Sequence, residues 1–255
     1  MPPNAFHPAL DRNGAHRAAH TAITDFTALG ITLPKQATTA HAALTAHEAR
    51  APQSTINVRE LYVNNATDKA INEALAYNAT HNDRRNAWTQ ARADLGIATI
   101  RALINNADEL HPQLASLAEP IIENITAAAQ LNDGLTALVR DGRTKDAELL
   151  AHAEHHTTQL EHLYALYADY CTPPDIETEF GGYTATHWSN PRTVHSHDKG
   201  DTQWEAWRAG IRAGGQLWYP TWQQAADTAN AALTQWRREN PRQPAVGGIT
   251  AFTTT

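Results

Sequence analysis

The sequence predicts an all-α fold, a multi-helix bundle with an aromatic-rich C-terminal helical part and an extended tail. Three observations predict it. Alanine is plentiful, apolar residues recur at three- and four-residue steps over most of the chain, and glycine, proline and asparagine stop signals punctuate those stretches. Strand-favouring residues concentrate only from Thr55 to Val63 and in residues 245–255.

Taken in order, Ala19, Ile23, Phe26 and Leu29 or Ala22 fall at three- and four-residue steps, and Gly30 with Pro34 stops that helix at Leu29. An alanine-rich stretch from Lys35 to Ala49, with Ala37, Ala40 and Leu44 on one side, pairs with it as a hairpin until Pro52. From Thr55 to Arg59 apolar and polar residues alternate before Leu61, Tyr62 and Val63, which predicts a strand over Thr55 to Val63. Thr67 is an N-cap for one long helix, or two collinear ones, reaching Asn105. Ile71, Ala74, Leu75, Trp88 and Leu103 lie on its apolar side, and a break would fall at the polar run from His81 to Arg85.

Pro112 suits the first position of the next helix, and Pro120 must kink it or begin another. Thr144 reads as the cap of a helix running from Lys145 to Tyr170, which Pro173 and Pro174 end. A domain boundary is expected there, dividing residues 1–172, an N-terminal helical domain, from residues 173–255, a tryptophan-rich helical region with its tail. Residues 175–200 are loop-like. A helix bearing Trp204, Trp207 and Ile211 then stops at Gly214 and Gly215, and Thr221 caps a last one bearing Trp222, Ala225, Ala229 and Trp236. In the tail, Gly247 and Gly248 form a hinge before Ile249 and Phe252.

At 255 residues the chain is long enough for a real core, yet much of its 42% hydrophobic content is alanine. With a mean hydropathy of −0.51 this implies thin helix packing. No apolar run approaches the roughly 20 residues that span a bilayer. Histidines and arginines occupy the first residues where a signal peptide needs an apolar stretch, so neither membrane insertion nor export is expected. The single cysteine, Cys171, rules out an intramolecular disulfide. A formal charge of −7 without a long basic run argues against wrapping nucleic acid and leaves room for a local basic patch only.

Two histidine groups invite a metal reading. His152 and His156 have the four-residue spacing that lets two imidazoles share a metal, but Ala153 stands where a zincin needs glutamate. His195, His197 and Asp198 sit in one loop, with Lys199 where a metallo-hydrolase pattern would continue. A solvated helix face and a polar loop closed by Asp201 as an N-cap explain the same residues. P-loop, GxSxG and GxGxxG patterns are absent, and Cys171 follows a helix end rather than opening a helix. No catalytic, cofactor-binding or metal-ligating residue is therefore assigned, and no cofactor is expected. The tryptophans at helical spacing read as local core or as anchors for a partner, so Trp204 and Trp207 join Ile249 and Phe252 as partner-binding candidates.

Lysine is confined to Lys35, Lys69, Lys145 and Lys199, while alanine, arginine, threonine and histidine abound, the usage of a high-GC coding sequence. In that usage and in its layout the chain resembles virion structural proteins of phages of high-GC Gram-positive hosts. The resemblance is one of style, carried by no motif, and transfers no functional residue. It implies a non-enzymatic assembly subunit of the head or head-to-tail junction, located in the virion or in host cytoplasm during assembly, whose partners are other structural subunits in an oligomer. The competing readings are a cytoplasmic helical adaptor with one protein partner and a metal-dependent hydrolase.

Overall fold

The protein is all-α. A computed structural model describes residues 14–52, 54–171, 185–194 and 202–240, and the backbone alone at 179–180 and 183–184. Among these lie ten helices and one two-residue β-hairpin, grouped in two compact units, residues 1–106 and 107–255. The boundary expected near Pro174 lies within the second unit, where α5 (Ala107–Gln130) packs on both α8 (Ala153–Tyr170) and α9 (Gln203–Arg212).

In the first unit, α1 (Ala15–Ala28) and α2 (Lys35–Glu48) pack on α4 (Asp68–Ile104). The face of α1 made by Ala15, Ala19, Ala22 and Phe26 is fully buried, as are Ala37 and Leu44 of α2 and Ile100 and Leu103 of α4. Each fully buried large side chain contributes on the order of 2 kcal/mol, while the alanines let the helices approach closely. The tightest approach is at Gly96, where an added Cβ would stand 2.5 Å from the backbone nitrogen of His16. Helix α2 runs antiparallel to α4, with Gln36 beside Asn106 at one end and His47 beside Trp88 at the other.

The predicted strand from Thr55 to Val63 is not formed. Residues Val58–Val63 make a short helix, α3, opened by Asn57, whose side chain accepts from the Glu60 amide. The extended segment before it finds no partner strand. Instead the Asn78 side chain accepts from Ile56 N–H at 2.8 Å and donates to Ile56 C=O at 2.8 Å, taking the place of a neighbouring backbone. Thr67 caps α4 as expected, and the helix runs through His81–Arg85 without a break. His81 turns inward, 5% exposed, and stacks on Tyr77.

In the second unit, Pro112 lies inside α5 rather than at its first position, and α5 continues through Pro120. Two helices, α7 (Thr144–Ala151) and α8, replace the single one expected from Lys145 to Tyr170, and Thr144 opens α7 from within while Arg143 is its N-cap. The interruption falls at His152, whose ring Nδ1 lies 2.8 Å from Glu148 O, the carbonyl that its own backbone N–H also bonds. A short α6 (Leu135–Arg140) precedes them. Strands β1 (Glu179–Phe180) and β2 (Tyr183–Thr184) form an antiparallel hairpin where a loop was expected. Thr202 caps α9, and Thr221 opens α10 (Trp222–Glu239) with a full capping box to Gln224. The extended tail, like His195, His197 and Asp201, lies outside the described residues. No helix among those described is long and apolar enough to cross a membrane.

Candidate interaction surface

Three tryptophans of the second unit, Trp188, Trp204 and Trp207, belong to its core, while Trp218, Trp222 and Trp236 are half-buried. Trp204 is 7% exposed and Trp207 4%, so neither ring of this candidate pair is presented at the surface. Trp188 lies against the backbone of Gly210 and Gly215, where added Cβ atoms would fall 2.8 and 2.7 Å from its ring. Trp207 meets Tyr164 edge-on, and Tyr164 stacks on Tyr219 at 5.4 Å. The hydroxyl of Tyr164 donates to Trp218 O and that of Tyr219 to Leu163 O, both at 2.7 Å. Arg208 and Arg212 of α9 donate to Leu131 O, and Arg212 also to Ala129 O, satisfying carbonyls at the C-terminal end of α5.

Titratable groups in this core are held neutral. Burial lowers the His187 pKa to about 4. It also lowers that of His111, against the raising effect of the bond from His111 Nε2 to Pro220 O. The Cys171 thiol is pushed up to about 12 by burial and by the Asp108 charge, which leaves no thiolate at neutral pH. The cavity beside Cys171 and His111, bordered by Asp108 and Thr221, holds about 110 Å³. Ligand pockets of roughly 300 Å³ or more are the norm.

The histidines of α8 stand on its outer side. His152 and His155 are exposed, and the His152 and His156 rings lie 6.2 Å apart. Among the described residues no three His, Cys, Asp or Glu side chains converge to hold a cation.

What the structure leaves uncovered is a helical hairpin in the first unit. Large apolar side chains exposed among the described residues are Ile56 at 42%, Tyr62 at 60%, Val63 at 72%, Leu75 at 48% and Tyr77 at 38% in that unit, and Leu135 and Val139 in the other. The first five fall in one short stretch, α3 and the N-terminal half of α4 with the segment before them. The cause is helix length. At about 1.5 Å per residue α4 is far longer than α1 or α2. The cover provided by α2 reaches Trp88, where His47 Nε2 bonds Trp88 O at 2.9 Å and Trp88 Nε1 donates to His47 O at 3.1 Å. Before Trp88, only Ile71, Ala74 and His81 of α4 are buried. Beside Tyr77 and His81, a surface depression of about 320 Å³ is bordered by Thr80 and Arg84. Two tyrosines, three aliphatic side chains and a neighbouring arginine match the composition of protein interfaces.

Sequence reasoning placed Leu75 on the core side of α4 with Ile71 and Ala74, and read Tyr62 and Val63 as strand, so this surface was missed. The available signal was the length of the predicted helix, which exceeds what the preceding hairpin can cover. The other candidates, Ile249 and Phe252, lie outside the described residues. No protein-family model matches the chain, and neither a curated protein nor a solved structure matches it significantly.

Proposed function

We propose that this chain is a structural assembly subunit and not an enzyme, a minor virion component of a phage particle at the head or head-to-tail junction. The observation that carries the reading is the concentration of exposed large apolar side chains on the α3–α4 hairpin, Tyr62 and Val63 on α3 and Leu75 and Tyr77 on the part of α4 that outreaches its neighbours. An exposed apolar group of this kind is retained where a partner covers it. The partner in this reading is a neighbouring structural subunit, and residue usage of the high-GC type supports the phage setting. Ile249 and Phe252, beyond the Gly247–Gly248 hinge, are a second contact that adds to a neighbour's sheet edge.

The test is assembly itself. Val63→Ser with Leu75→Ser should leave the circular dichroism spectrum unchanged, because neither side chain is buried, and should remove the protein from oligomers or particles. A variant that assembles like the parent would refute the reading. A monomer that binds one soluble protein through the same hairpin would replace it with the adaptor reading.

A further inference from the structure

The first unit holds a chain of three titratable side chains that the assembly reading does not use. His20 of α1 stands between two residues of α2. Its Nε2 lies 2.7 Å from Oε2 of Glu48, and its Nδ1 lies 2.9 Å from Nε2 of His41. The carboxylate only accepts, so His20 Nε2 donates to it. A neutral His20 then accepts at Nδ1 from His41 Nε2–H. The ring centroids of His20 and His41 are 4.9 Å apart at 79°.

This geometry limits how many protons the pair can carry. An imidazole–imidazole hydrogen bond needs one bare nitrogen. One added proton is tolerated, shared between His20 and His41 and balanced by Glu48. A second makes both facing nitrogens donors, and the bond is lost. The surroundings add to the effect. Besides burial, Arg92 of α4 with Arg17 and His20 of α1 disfavour a charged imidazole at His16, and His20 does so at His41, while Glu48 is the carboxylate that offsets them at both. His47, next to Glu48 on α2, is turned to Trp88. The His16 backbone also lies against Gly96 of α4, so His16 belongs to the turn of α1 that packs tightly on α4.

We propose that His20, His41 and Glu48, with His16 beside them, form an acid-sensitive latch that ties α1 to α2 at neutral pH and frees α1 from the first unit on acidification. Burial lowers the pKa of both His16 and His41 from 6.5. The freed state therefore binds more protons than the latched state below that value, and the latch weakens as pH falls through the interval beneath 6.5.

Hydrogen exchange of the full chain, read by mass spectrometry on peptides covering Ala15–Ala28 and corrected for the intrinsic rate, tests this directly. Between about pH 7 and about pH 5, protection of α1 should fall by about tenfold as the latch takes up protons. His41→Gln, which cannot titrate, should lose clearly less protection over the same range, the remainder being due to His16. Protection that does not change with pH, or that is lost equally in His41→Gln, would overturn the proposal. Should that variant fail to fold, imidazole nitrogen NMR of the parent protein decides. Coupled titration of His20 and His41 in two separated steps supports the latch, and independent single-step titrations refute it.

Discussion

Tyr164 and Tyr219 stack with their rings 5.4 Å apart, and each hydroxyl reaches past the other ring to the carbonyl of the residue preceding its partner, Tyr164 to Trp218 and Tyr219 to Leu163. The arrangement joins α8 to the segment entering α10 by two hydrogen bonds and a stacked pair. Removing the Tyr164 hydroxyl takes the donor from Trp218 O, and removing that of Tyr219 takes a second donor from Leu163 O inside α8. Tyr164→Phe and Tyr219→Phe should each destabilise the second unit by about 1–2 kcal/mol, and because they act as one clamp the double variant should depart from additivity. Urea unfolding followed by tryptophan fluorescence measures this, since Trp188, Trp204, Trp207, Trp218, Trp222 and Trp236 all lie in that unit. Two singles with no effect would show that the hydroxyls contribute nothing.

Gly96→Ala tests the packing of α1 on α4. The new methyl would meet the His16 nitrogen at 2.5 Å, and backbone cannot move aside as a flexible side chain can. The expected cost is about 2–3 kcal/mol, with loss of α1 protection in hydrogen exchange. An unchanged Tm would mean that α1 sits farther from α4 than the structure has it.

His187 gives the second unit a pH dependence of its own. Its folded pKa of about 4 lies below the value of 6.5 in the unfolded chain, so the unfolded state binds the extra proton first. Stability is therefore whole above pH 6.5, declines as pH falls from 6.5 to about 4, and no longer changes on this account below that. The loss should be on the order of 3 kcal/mol, measured as urea midpoints across the interval. His187→Phe keeps a ring against Tyr164 and should flatten the profile, leaving the smaller contribution of His111. A profile as steep as that of the parent would remove His187 as its source.

The parts of the fold legible in the sequence are those set by residues close along the chain. Gly30 after α1, the Thr67 cap, and the Thr221–Gln224 capping box each act within one helical turn. Elements settled by distant residues were not legible. The stretch after Thr55 alternates like a strand, but the side chain that answers Ile56 is Asn78, twenty-two positions on, and it leaves no strand to pair with. His20, His41 and Glu48 come from two helices, and nothing in their spacing shows that the two faces meet. The tryptophans illustrate both cases. Their helical spacing made a core legible, while the burial of Trp204 and Trp207 rests on contacts such as Tyr164 with Trp207 that cross between helices.

Residues 245–255 should contribute to assembly and little to folding. Deleting them should shift the Tm by no more than about 0.5 kcal/mol equivalent while weakening oligomers, as seen by sedimentation. Unfolding of the truncated chain would instead mean that Ile249 and Phe252 pack on their own subunit, and undiminished assembly would remove them as contacts.

An association surface on the α3–α4 hairpin is tested most directly by the mass of the full chain in solution, read by light scattering across a wide concentration range. The expected result is a symmetric oligomer that the Val63→Ser, Leu75→Ser variant converts to monomer without loss of helix. A parent protein that stays monomeric at every concentration and binds no particle component, with Tyr62, Val63, Leu75 and Tyr77 accessible throughout to surface labelling, would contradict it.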